Sequence, residues 1–179
     1  MRLIKSYRSE AETELVTGCK QNNRMMQKKL FDRYKSAMYS TAMRIVGDTH
    51  LAHDVLQEAF IDVFENIDDF RFESTLGAWI KTITIRKALR RLKLEHHHET
   101  LDEAETLESV DGHYDFTADD LEKAIQSLPE SSRTVFLLIE VEGYKHQEVS
   151  EMLDISIGTS KSQLNYSKKL LQRRLYERF

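Results

Sequence analysis

The 179-residue chain is predicted to be all-α, with two small helical domains joined by a flexible acidic linker. Three observations carry that expectation. One proline and six glycines leave few obligatory breaks. Apolar residues recur at three- and four-residue spacing through the long segments on either side of one irregular stretch. Charge divides sharply: residues 1–93 hold seventeen Lys and Arg against twelve Asp and Glu, residues 94–122 none against eleven, and residues 123–179 nine against seven. The net charge of −4 thus hides two mildly basic ends behind an acidic middle. The domains are expected over residues 8–94 and 121–179, with the linker over 95–120.

Composition excludes several classes. The longest apolar run, residues 135–139, is far too short to span a bilayer, so no stable membrane insertion is expected. Met1 to Lys5 lead into polar sequence without the apolar core of a signal peptide. The single cysteine, Cys19, has no internal partner, which fits a reducing cytoplasm.

In the first domain, a short helix is predicted over residues 10–18, with Glu10, Glu12 and Glu14 suited to its N-terminal turn. A long one follows over residues 23–46, where Met26, Leu30, Phe31, Tyr34, Met38, Ala42 and Ile45 keep the helical period. Gly47 serves as its stop, and Asp48 or Thr49 as the next cap. Residues 51–67 carry one apolar stripe of Val55, Leu56, Ala59, Phe60 and Val63. Asp54, Gln57, Glu58, Asp62 and Glu65 share the opposite face with one apolar intruder, Ile61. A merely solvated face has no use for Ile61; a face that closes over a basic partner helix does.

After a turn-rich segment, residues 75–94 form a helix whose pattern switches sides. Leu76, Trp79, Ile80 and Ile83 make one stripe, while Ile85, Ala88, Leu89 and Leu92 lie almost opposite. Arg86, Lys87, Arg90, Arg91 and Lys93 occupy the vacated side as a free basic row. Either the helix breaks near Thr84, or its two halves are covered from different directions. Trp79 falls on the buried stripe and is expected in the core.

Residues 95–120 lack periodicity and should be self-repelling and flexible. Beyond them, Leu121, Ala124, Ile125 and Leu128 define a short helix ending at Pro129. Another follows over residues 130–142, with Gly143 as its stop. Residues 144–153, a turn at Asp154-Ile155-Ser156, and a helix to about residue 178 then make a helix-turn-helix pattern. In that pattern the second helix enters the DNA major groove. Ser156 or Thr159 can cap it, and from Lys161 on it carries six Lys and Arg against one Glu. A charge run alone is usually just a solvated face; the preceding turn is what points to DNA.

No chemistry of catalysis assembles: there is no Gly-rich phosphate loop, no nucleophile with a paired base, and no acid pair in an apolar pocket. No cofactor is expected. Glu95 with His98 gives one Glu-x-x-His step where a helical di-iron site needs two. His50, His53, Asp54 and Glu58 lack a further ligand at proper spacing, so no metal site is expected.

The first domain resembles the second region of the extracytoplasmic-function sigma factors, the small promoter-recognition subunits of bacterial RNA polymerase. The match runs through Gly47-Asp48, Asp54 to Phe60, Phe70-Arg71, Glu73-Ser74, Trp79-Ile80 and the basic close at residues 90–93. Leu128-Pro129, Arg133, Val135-Phe136, Glu142 to Tyr144, Glu148-Val149, Ile155-Ser156 and Gly158-Thr159 resemble the same family's fourth region. The resemblance implies an alternative sigma factor that binds core RNA polymerase and directs promoter recognition, DNA melting and transcription initiation. It places Asp54, Gln57, Glu58 and Ile61 on the clamp coiled coil of the polymerase's largest subunit. It assigns Phe70, Arg71, Phe72, Glu73, Arg86, Lys87, Arg90 and Arg91 to the minus-ten element. One of Phe70 and Phe72 is expected to anchor the loop in the core instead. Ser156, Thr159, Ser160, Lys161, Gln163, Tyr166 and Lys168 fall to the minus-thirty-five element. An anti-sigma partner is also implied.

The chain departs from the family where Asn is frequent at the position of Arg86, Asp or Asn at that of Arg90, Val at that of Ser160, and Arg at those of Gln163 and Tyr166. Two alternatives from other classes stay open at this point: a helix-turn-helix regulator with a ligand- or partner-sensing first domain, and a metal-dependent helical enzyme.

Overall fold

A computed structural model describes residues 10–95 and 117–176. The expected linker therefore lies almost wholly outside the described residues, as do His96, His97 and His98. The chain divides into two compact units, Met1–His97 and His98–Phe179.

The first unit contains α1 (Glu10–Lys20), α2 (Arg24–Val46), α3 (Thr49–Glu65) and α4 (Leu76–Glu95). α1 begins at the acids that favour its positive end and buries Leu15, Val16 and Cys19. Gly18 is required where α1 meets α2, because a Cβ there would stand 2.4 Å from Cγ of Met26. Asn23 caps α2 by accepting from the backbone N–H groups of Met25 and Met26 at 2.9 and 3.3 Å. Gly47, at φ 72°, closes α2 with its N–H on the Met43 carbonyl, and Asp48 starts α3 by accepting from Leu51 N–H at 2.9 Å.

Leu30, Phe60, Val63, Leu76 and Ile80 belong to one core cluster with α1, and Phe31 meets Phe60 edge-on at 4.8 Å. A 3₁₀ turn, Ile67–Asp69, follows α3 and buries Ile67. The amine of Lys20 donates to the Asp68 carbonyl at 2.8 Å, tying that turn to the end of α1.

α4 resolves the side switch without a break. It runs unbroken for 20 residues, with Thr84 fully buried and its hydroxyl donating to the Ile80 carbonyl at 3.1 Å. Its two halves are buried on different sides, since the helix packs on both α2 and α3.

The second unit contains α5 (Ala118–Gln126), α6 (Glu130–Phe136), α7 (His146–Leu153) and α8 (Ile157–Tyr176). α5 starts three residues earlier than its apolar pattern suggests. Thr117 and Asp120 form a reciprocal capping box that extends the helix through polar residues. α6 widens into a π-helical turn over Leu137–Val141, ending where Glu142 N–H reaches the Leu137 carbonyl at 2.9 Å. Arg133 is half-buried under α5, donating to the Gln126 carbonyl at 2.9 Å, and burial lowers its pKa. The Ser167 hydroxyl of α8 lies 2.7 Å from the carbonyls of Ser132 and Gln163, joining α8 to α6 inside the core.

Candidate nucleic-acid interface

α3 holds Ile61 in the open: it is 56% exposed, beside exposed Gln57 and Glu58 and two turns from Asp54 on the same face. The burial of Val55, Ala59 and Val63 on the core side fixes that orientation. α4 packs alongside, and its basic row is not free as the sequence suggested. The Lys87 amine sits 2.8 Å from the Asp62 carboxylate and 4.0 Å from Glu58, and Arg91 lies 3.5 Å from Asp54. Lys87 keeps only 19% of its side chain exposed. Among the described residues, Arg86 and Arg90 remain exposed and without ion pairs. With Lys93, also exposed and without an ion pair among the described residues, the row therefore splits into two paired cations facing α3 and three available ones.

The loop between the 3₁₀ turn and α4 is anchored by Phe70, which is 4% exposed and packs against Trp79 and Phe72 at ring distances of 5.3 and 4.8 Å. Phe70 is thus the core anchor of the pair. Phe72 is half-buried at φ 60°, a left-handed conformation costly for a bulky side chain. Arg71 and Glu73 stand exposed on either side of it. Together with Asp69, Phe70, Ser74 and Trp79 they line an open cleft of 450 Å³.

Trp79 departs from its expected place. One side packs on the core, but the residue is only half-buried and its other side borders this cleft and a second one. The indole is too large to sink fully beside Phe70.

In the second unit, Asp154 takes the left-handed conformation that ends α7, with its N–H on the Ser150 carbonyl. Ser156 then caps α8, accepting from Thr159 N–H at 2.9 Å, with the two hydroxyls 2.8 Å apart. Ser160 is a correction. Its side chain is fully buried, 2.9 Å from Nδ1 of His146, and faces the core with Leu164, Ser167 and Leu171. The three- and four-residue spacing of those positions turns it away from any groove. Gln163 and Tyr166 are half-buried, and Lys168 is exposed but paired with Glu140 of the π turn at 2.8 Å.

The outward face of α8 is instead made by Gly158, Thr159, Lys161, Ser162, Asn165, Lys168 and Gln172. Ser162 and Asn165 were missed. Their signal was their place opposite the buried stripe, not their residue type. Among the described residues, no group of three His, Cys, Asp or Glu could hold a metal, and His53 stacks on Tyr39 at 4.7 Å. No described helix is long and apolar enough to cross a membrane.

Among the described residues, then, the protein is helical throughout, with a helix-turn-helix in one unit and, in the other, an acidic surface helix beside a partly free basic one. Residues 30–96 match the family model for Sigma-70 region 2, and residues 118–171 that for Sigma-70, region 4. The chain belongs to the extracytoplasmic-function sigma factors: it is an alternative sigma factor that directs transcription initiation, and not an enzyme.

It is 26% identical to the ECF RNA polymerase sigma factor SigW of Bacillus subtilis, over 82% of this chain and 87% of that one. With the ECF RNA polymerase sigma-E factor of Haemophilus influenzae it shares 25% identity, over 90% and 93% of the two chains. Among solved structures it is similar in fold to RpoE from Bartonella quintana, in complex with the anti-sigma factor NepR (TM-score 0.54, 20% identity, 83% and 96% covered). It is also similar in fold to CnrH in complex with the cytosolic domain of CnrY (TM-score 0.52, 18% identity, 94% and 99% covered). The region 2 match removes the reading of the first unit as a ligand-sensing module.

Proposed function

We propose that Asp54, Gln57 and Glu58, with Ile61 as the apolar contact, dock this sigma factor on the clamp coiled coil of the largest subunit of bacterial core RNA polymerase. The observation that carries this is Ile61, more than half exposed in the middle of an acidic helix face. Acid-to-base attraction steers such an encounter, and the buried apolar contact slows its reversal.

Arg71, Phe72 and Glu73 around the loop cleft, with Arg86 and Arg90, then engage the single-stranded minus-ten element. A positive track and a pocket with a flat wall are what an unstacked strand needs. Lys87 and Arg91 join only by leaving their carboxylate partners. Ser156, Thr159, Lys161, Gln163, Tyr166 and Lys168 present the second unit to the minus-thirty-five duplex, with Asn165 added to that set. The domains are assigned as residues 8–94 and 121–179 on a tether over 95–120, working in the cytoplasm. An anti-sigma partner, as NepR is for the RpoE of Bartonella quintana, completes the reading.

About four phosphate contacts by α8 give a salt slope of only about −3.6, so the second unit alone binds DNA weakly. Tight promoter binding then arises only when polymerase holds both units in register. Co-migration with core polymerase tests the docking face. The natural chain should bind core, and the double reversal Asp54→Lys and Glu58→Lys should abolish association while leaving the helical spectrum intact. Undiminished association of the reversed chain would contradict the assignment.

A further inference from the structure

The outward surface of α3 and α4 carries opposite charges side by side. The Lys87–Asp62 and Arg91–Asp54 pairs climb one helix while descending the other, so the two helices run antiparallel and meet along a seam of neutralised charge. On the α3 side of that seam Glu58, Ile61 and Glu65 stand exposed, and on the α4 side Arg86, Arg90 and Lys93 do. Among the described residues, Glu65, Arg86, Arg90 and Lys93 have no ion pair, so both stripes keep their charge. We propose that this surface also docks a second copy of the chain, in a two-fold dimer where each α3 stripe covers the α4 stripe of the other protomer.

The fit follows from symmetry. A half-turn about an axis along the seam keeps each residue at its own height and exchanges the two sides. The negative stripe of one protomer then lies over the positive stripe of its partner, and the contact occurs twice. The seam pairs set the heights: Arg91 is level with Asp54, and Lys87 lies between Glu58 and Asp62. Arg90 thus comes level with Glu58, and Arg86 with Ile61. Glu58 of one protomer meets Arg90 of its partner, and Ile61 is covered by the aliphatic stems of the two arginines, whose charged heads reach past it. That gives the 56% exposed isoleucine an apolar cover which its own unit does not supply.

A uniformly acidic face would repel its own copy, whereas this bipolar one is self-complementary. Exposed ion pairs are individually weak and screened by salt. The dimer therefore forms at high protein concentration and gives way to a partner that offers a wholly basic face. Since polymerase is assigned the same α3 stripe, dimer and holoenzyme exclude each other; this consequence, unlike the dimer itself, rests on the docking reading.

Sedimentation equilibrium of the full chain tests the proposal, at low salt and near 1 M salt, where the screening length falls to about 3 Å. The natural chain should form dimers and nothing larger, with a dissociation constant at least about tenfold higher in the high salt. Glu58→Lys and Arg90→Glu, each alone, put two like-charge contacts into the dimer and should weaken it at least about tenfold, with the helical spectrum unchanged. Mixed one to one, the two reversed chains should form a heterodimer of near-natural affinity, because each reversed side chain then meets the other. Lys29→Glu, at an exposed position on α2, makes the same change in net charge as Arg90→Glu. It should dimerise normally and fail to rescue Glu58→Lys. A chain that stays monomeric at low salt, association indifferent to both reversals, or a mixture that does not recover overturns the inference and leaves the docking reading standing. Rescue by Lys29→Glu as good as that by Arg90→Glu traces the effect to net charge and overturns it too. A natural chain that dimerises as described yet never binds core polymerase removes the docking reading alone.

Discussion

The amine of Lys87 on α4 sits 2.8 Å from the carboxylate of Asp62 on α3, so the surfaces assigned to protein and to nucleic acid are joined by an ion pair. Arg91 repeats the link to Asp54 at 3.5 Å. Both pairs are partly solvated, which limits each to about 0–1 kcal/mol. They are strong enough to orient side chains and weak enough to be exchanged for a partner's charges.

The first prediction follows from that modest strength. Lys87→Ala should lower stability by no more than about 1 kcal/mol in urea unfolding. A loss of several kcal/mol would mean that the pair is a structural element and not an exchangeable one.

Ser160 and Asn165 separate core from groove on one helix. Ser160→Ala removes the hydroxyl facing His146 inside the second unit and should cost about 1 kcal/mol, without altering minus-thirty-five selectivity. Asn165→Ala should do the reverse: stability stays within about 0.5 kcal/mol, while promoter preference relaxes at one base pair. Thermal unfolding with run-off assays on mutated minus-thirty-five elements distinguishes the two.

Gly18 tests the seam between α1 and α2. Gly18→Ala drives a methyl group against Cβ and Cγ of Met26, 2.8 and 2.4 Å from the new carbon. Overpacking of this kind costs about 1–3 kcal/mol, offset in part by the gain in helix propensity. Equilibrium unfolding should show a net loss.

Cys19 offers a chemical check on the same seam. The side chain is 1% exposed and burial raises the thiol pKa, so little thiolate exists at neutral pH. A maleimide-free disulfide reagent should react slowly with the native chain and rapidly in denaturant. Fast native labelling would show that α1 does not pack as described.

The helices of the first unit and their ends were legible in the sequence because local chemistry sets them. Asn23, Gly47 and Asp48 act within four residues, and the apolar period of α2 and α3 needs no knowledge of the partner. The α4 side switch was legible too, but not its resolution, since only the packing of α2 and α3 decides between a break and double coverage. Ser160 entered the minus-thirty-five set through the family resemblance, although Val is usual at its position; the hydroxyl that replaces the apolar side chain meets His146, fourteen positions away, inside the unit. The α3–α4 ion pairs were invisible for a related reason. They depend on how two helices slide past each other, and composition says nothing of that register. The widening of α6 into a π turn has no local signal in its apolar run, yet it sets Glu140 against Lys168.

Run-off transcription by core polymerase on a library of randomised promoters tests most directly whether this chain directs initiation through two separate DNA contacts. The expected result is a set of defined transcripts that appears only when the chain is added, whose promoters share two motifs, upstream and at the melted segment. Absence of added transcripts, or one motif that the chain binds equally tightly without polymerase, would contradict it.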